Sequence, residues 1–160
     1  MTAGARERWR ASRFNAAVVY DFEACRIMPF VSITRLRLGS WRFLPGFLWY
    51  ALLSRRQAKS APGNLAALTL RDANLTFWTC TVWQDEGAMR AFMTSGAHRS
   101  AMPHLVDWCD EAAVAHWQQD TPEPPVWSEV HRRMQSDGRR SKVRHPSPAH
   151  QRFEIAPPRL

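Results

Sequence analysis

The chain has 160 residues, 45 % of them hydrophobic, enough for one ordinary packed domain and too few for two comfortable ones. Its formal charge of +8 is uneven: residues 31–120 carry nine Lys/Arg against seven Asp/Glu, residues 1–30 five against three, and residues 121–160 eight against four. Basic ends around a near-neutral middle argue against a globular nucleic-acid-binding face, and no apolar run reaches the ~18 residues of a membrane span.

Residues 1–28 differ from the rest. Arg6, Arg8, Arg10 and Arg13 recur every two or three residues. The segment reads either as an N-terminal arm or as an extension ahead of a true start at Met28. Asp21 and Glu23 follow a weak apolar stretch at once, which argues against a secretory signal. Cys25, Cys80 and Cys109 are odd in number and lack C-x-x-C spacing, so neither a disulfide framework nor a zinc site is expected. Cys80 and Cys109 read as buried, inert thiols, and a reducing cytoplasm fits best.

Phe30–Leu38 alternates and is rich in β-branched residues, the signature of a strand. Gly39-Ser40 ends it. A helix follows, with Pro45 in its first turn and Leu44, Phe47, Leu48, Ala51 and Leu52 spaced as one buried apolar face. Arg55, Arg56 and Lys59 close it and Pro62-Gly63 stops it. Asn64–Arg71 and Leu75–Trp83 read as a hairpin across Asp72-Ala73-Asn74. Asp85 is placed to cap the next helix, whose stripe is Met89, Phe92 and Met93. Ser95-Gly96 interrupts it before a second helical piece over Ala97–Cys109, with Met102, Leu105, Val106 and Cys109 on one face. Glu111–Gln119 is the last strand.

The order β-α-β-β-α-β predicts an α+β, ferredoxin-like domain over residues 29–120: a four-stranded antiparallel sheet with helices on one face. Apolar side chains alternate onto both faces of the strands, so both must be covered. A ninety-residue domain lacks a second layer, and a homodimer through the sheet faces is the economical cover. Beyond Asp120, Pro122, Pro124 and Pro125 read as a linker and Trp127–Gln135 as a short helix closed by Gly138. The basic remainder, to residue 160, is expected to be disordered or to lie as an extended arm on the domain.

The most telling stretch is Phe77–Met102, FWTCTVWQDEGAMRAFMTSGAHRSAM: a strand ending in Trp, an acidic cap, an A-M-R-A-F helix and an S-G-A-H-R break. It resembles the dimeric α+β barrel superfamily of the antibiotic-biosynthesis-monooxygenase type, in particular its spheroidene-monooxygenase-like branch, over about ninety residues from Pro29 to Gln119. The resemblance implies that fold, dimerisation, and oxygenation of a long apolar substrate with haem or without any cofactor. In the haem-degrading branch the Trp at the end of the third strand matches Trp83. The haem-binding His falls at Met102, and the first-strand Asn falls near Ser32 or Thr34. Two of the three positions therefore depart from that branch.

His98, opening a helix beside a break, is the leading candidate as haem ligand or general base, against an ordinary capping histidine. Trp83 walls a ligand pocket or fills core, and Met89, Phe92, Met93 and Met102 form a soft pocket wall or a plain core stripe. Arg35 and Arg37 share a strand face and either hold a carboxylate or haem propionate or are solvated. His104 lies roughly opposite His98 on a helix, so the two do not suit one metal; His116 reads as a hydrogen-bonded strand histidine. No P-loop, G-x-G-x-x-G, G-x-S-x-G or H-E-x-x-H motif occurs. The sequence thus points to a monooxygenase-like protein for an apolar small molecule, with a noncatalytic dimeric binding domain of the same fold as the alternative. A nucleic-acid role for the basic tail ranks last.

Overall fold

A computed structural model describes residues 28–159. The N-terminal arm, and Cys25 within it, lie outside the described residues except for Met28 itself. The strands are β1 (Phe30–Leu38), β2 (Asn64–Arg71), β3 (Thr76–Trp83), β4 (Cys109–Gln118) and β5 (Arg139–Arg140); the helices are α1 (Leu44–Ser60), α2 (Glu86–Met93), α3 (Gly96–Trp108), α4 (Trp127–Ser136) and α5 (Pro148–Arg152). A 3-10 turn, Trp41–Phe43, leads into α1.

The sheet is antiparallel, in the order β2-β3-β1-β4-β5. Its first four strands follow the expected ferredoxin-like order. The expectation of four strands is corrected to five, because Arg139–Arg140 continues past β4 and pairs with Val114 and Ala113.

Alternation sorts the side chains onto two faces. Phe30, Leu36 and Leu38 of β1 and Phe77 and Trp83 of β3 point to α1, α2 and α3, where they form two apolar clusters at opposite ends of the strands. Val31, Ile33, Trp78, Cys80, Val82 and Ala113 point the other way into the largest cluster, and Val130 and Met134 of α4 are wholly buried against them. Helices therefore cover both faces rather than one. The expectation of a partner subunit rests on that second face being bare; α4 covers it from within the chain.

The residues after Asp120 are ordered by backbone hydrogen bonds as well as by burial. The Ser141, Arg144 and Ser147 N–H groups donate to the carbonyls of Ala112, Val106 and Asp110. Phe153 and Ile155 rest on the α4 cluster, and the His131 Nε2–H donates to the Ile155 carbonyl at 2.9 Å. Of the two readings of this segment, disorder is corrected and an arm lying on the domain is what the structure has. A composition poor in apolar residues still suffices here, because a few large side chains close an existing apolar face.

The buried stripe of α1 also departs from expectation. Phe47 is buried as expected, but Leu48, Ala51 and Leu52 are exposed, and it is Ala58 that joins Phe47 inside. Cys109, expected at a helix end, begins β4.

Candidate functional site

The site-bearing segment follows from short-range chemistry. Asp85 has extended backbone and its side chain accepts from the Ala88 N–H at 2.8 Å, so it caps α2 as its sequence position suggests. Met89 and Phe92, three apart, then face Phe30 and Trp83. Gly96 breaks the helix with φ +53°, and a Cβ there would meet the Gln57 side chain at 2.8 Å, so glycine is favoured on both counts. Gln57, which sequence reasoning missed, ties α1 to this break. Its Nε2 donates to the carbonyls of Ser95 (3.0 Å) and Phe92 (3.3 Å), and its Oε1 accepts from the His98 N–H at 3.0 Å. An isolated Gln on a helix gives no sequence signal for such a role.

Three rings stand in a row here. Trp83 and Phe92 have centroids 5.1 Å apart, and Phe92 and His98 4.7 Å. His98 Nδ1 lies 3.1 Å from the Met93 carbonyl. A carbonyl only accepts, so Nδ1 carries the proton and Nε2 presents its lone pair. Burial pushes the His98 pKa below its usual value, against the opposing pull of the Met93 bond, so the ring is neutral near pH 7. Trp83 is fully buried and its Nε1–H has no acceptor. Beside the row lies a groove of about 570 Å³ between the end of α1 and α2, lined by Gln57, Ala61, Gly63, Ala88, Phe92 and Ser95. Between the two apolar clusters on this face, Ser32, Thr34, Thr79 and Thr81 form a half-buried band of hydroxyls.

The structure thus brings together Trp83, Met89, Phe92, Met93 and His98, and separates two other candidates from them. Met102 is 43 % exposed on α3 and is not among the residues that line this groove. Arg35 also stands apart from them, in the wall of a second groove of about 640 Å³ that Arg37, Thr76 and Glu111 share. It lies on the opposite face of the sheet, 5 % exposed, where Nη1 donates to Glu111 at 2.6 Å and the guanidinium sits 5.5 Å over the Trp78 ring. Arg37 bonds both carboxylate oxygens of Asp110 and also reaches Glu111 at 2.8 Å, and Ser147 Oγ donates to Glu111 at 3.0 Å. Both arginines hold carboxylates, but the protein's own. Neither is a solvated cation at a strand end.

His104 stacks on Trp108 and His116 contacts Phe30, each as a packed ring. Cys80 and Cys109 are buried and their thiol pKa values are pushed up to about 12 by that burial, so both are inert. Among the described residues no three His, Cys, Asp or Glu side chains come together as a metal site.

The residues present do not fit haem. His98 Nε2 could ligate iron, but no Arg, Lys or His lines the adjoining groove to receive propionates. Arg35 lies across the sheet, and the position matching the family's haem-binding His is the exposed Met102.

A five-stranded antiparallel sheet with α1–α3 on one face and α4 on the other defines an α+β fold, which several solved structures share. A conserved protein from Methanosarcina mazei Go1 superposes with a TM-score of 0.53 at 11 % identity, over 59 % of this chain and 95 % of that one. A Nitrosomonas europaea protein provisionally named an antibiotic biosynthesis monooxygenase gives 0.52 at 15 %, over 57 % and 90 %. A further antibiotic biosynthesis monooxygenase gives 0.51 at 13 %, over 56 % and 97 %. At such identities the likeness establishes the fold alone. The chain belongs to the family described as "Domain of unknown function (DUF3291)", which matches residues 30–145. No curated protein matches it in sequence.

Proposed function

We propose that this chain is a monooxygenase-like protein acting on an apolar small molecule held in the groove between α1 and α2, with His98 as the base. The observation that carries the reading is the fixed tautomer of His98: the Met93 carbonyl holds Nδ1–H, leaving a neutral Nε2 free to take a proton. Phe92 lines the groove and touches both His98 and Trp83, which stand behind it, so Phe92 must turn aside for Nε2 to reach a bound substrate. Fold neighbours named as monooxygenases lend the reaction class. Because the site does not fit haem, the reading is oxygenation without a cofactor. Nε2 removes a proton from an activated methylene, the carbon donates its electron pair to O2, one oxygen atom stays as a carbonyl and the other leaves as water. The substrate is then its own reductant. Two buried free thiols accord with the cytoplasm as its location.

The test is oxygen uptake by the full chain with a panel of polycyclic ketones and phenols, beside His98→Gln. The expected result is uptake in step with substrate loss, slowed about 100-fold or more in the variant. Uptake that needs added haemin, with a Soret shift lost in His98→Ala, would replace this reading by a haem one. A second reading, a noncatalytic binding domain, is favoured by one observation: Trp83 and Met89 fill their cluster almost completely. Ligand binding without oxygen uptake across the panel would establish it.

A further inference from the structure

The apolar stripe of α1 is not the face that α1 buries. Phe47 and Ala58 point inward, whereas Leu48, Trp49 and Leu52 point away from the protein and are 48, 61 and 43 % exposed; Trp41, in the turn before the helix, is 66 % exposed. Scattered single apolar residues on a surface are ordinary, but two tryptophans and two leucines on one helix and its lead-in turn are a patch.

The C-terminal half of the same outward arc carries Arg55, Arg56 and Lys59, all exposed. At ~100° per residue, Lys59 projects between Leu48 and Leu52, and Arg56 between Leu52 and Trp49. No Asp or Glu occurs anywhere from Met28 to Arg71. Among the described residues, none of Arg42, Arg55, Arg56 and Lys59 is in an ion pair. The outer face of α1 is therefore apolar and aromatic in its first half and purely cationic in its second.

We propose that this face is a docking site for an anionic membrane surface. Trp41, Leu48, Trp49 and Leu52 enter the boundary between headgroups and acyl chains, where the amphipathic indole ring is most at home. Arg55, Arg56 and Lys59 meet the lipid phosphates. No described helix is long and apolar enough to cross a membrane, so α1 lies in the interface plane. Charge selects this occupant over a second copy of the chain, because the face offers three cations and no carboxylate to receive them. The proposal stands apart from the reaction assigned to His98, since neither needs the other.

The test is sedimentation of the full chain with vesicles of mixed phosphatidylglycerol and phosphatidylcholine, and of phosphatidylcholine alone. It compares the unmodified protein, Trp49→Ser with Leu52→Ser, and Arg55→Gln with Arg56→Gln. All four positions are exposed, and circular dichroism checks that the fold is kept. The expected result is binding to the anionic vesicles that falls about tenfold or more in the Trp49/Leu52 variant. In the Arg55/Arg56 variant it weakens and loses salt dependence, while binding to phosphatidylcholine alone stays weak. Three outcomes overturn the proposal. The unmodified protein fails to bind anionic vesicles; it binds them equally with and without the Trp49/Leu52 change, which assigns the binding to the basic chain ends; or light scattering shows a dimer that the Trp49/Leu52 variant dissolves, which makes a second copy the occupant.

Discussion

The same three central strands present two unlike faces. Against α4, Ile33, Cys80 and Ala115 meet Val130 and Met134, and these side chains are almost without contact with water. Against α1–α3, the alternate residues Ser32, Thr34, Thr79 and Thr81 are hydroxyl-bearing and half-buried, with apolar clusters only at the two ends. A face packed to exclude water contributes stability through burial and dispersion. A face that keeps hydroxyls, and a buried Trp83 Nε1–H without an acceptor, gives up part of that contribution. The comparison places the dry packing on the α4 face and the half-buried hydroxyls on the helix face.

The largest expected effect comes from removing residues 121–160. That deletion uncovers Trp78 and takes away Val130, Met134, Phe153 and Ile155 together. A buried Met→Ala change alone costs about 2–5 kcal/mol, and whole domains hold only about 5–15. No cooperative thermal transition of a monomer should remain; a sharp transition from a monomer would show that the dry face is not what stabilises the sheet. Next comes Glu111→Ala, which strands the buried Arg35 and should cost about 3–5 kcal/mol in urea unfolding. A loss below about 1 kcal/mol would mean that water already serves Arg35.

A neighbouring pair on β3 sharpens the contrast. Cys80→Ser places a hydroxyl on the dry face and should cost about 1–3 kcal/mol, whereas Thr79→Val on the half-buried face should stay within about 0.5. Equal costs for the two would erase the distinction between the faces. The smallest effect is in pH. Burial lowers the His98 pKa below the ~6.5 of an unfolded chain, so the unfolded state binds more protons between those two values. The stability involved is fully present above pH ~6.5 and is lost as pH falls from there through the folded value. His116 and His150 shift the same way, also chiefly through burial. His98→Gln should therefore flatten the acid limb of thermal stability only in part, and an unchanged limb would place the effect on the other two.

Local signals were legible. The Asp85 cap, the Ser95-Gly96 break and the alternation of β1 and β3 depend on residues a few positions apart, and each stands where it was expected. The tautomer of His98 was not legible, because it depends on a carbonyl that the α2–α3 break turns toward it. Gln57 was invisible, since its partners lie 35 to 41 residues away.

The sequence by itself determined the first four strands, most of the helices and the ferredoxin-like order, because periodicity and capping are properties of short segments. Only the tertiary structure decided which side each element turns. Arg35 reads as a holder of a ligand's carboxylate or as a solvated cation until β4 brings Glu111 to it. The apolar stripe of α1 reads as core until α3 and the sheet take the other side of the helix. The short helix after Asp120 reads as isolated until the second face of the sheet gives Val130 and Met134 somewhere to go. In each case the deciding partner is distant in sequence, and burial free energy depends on the partner rather than on the segment alone.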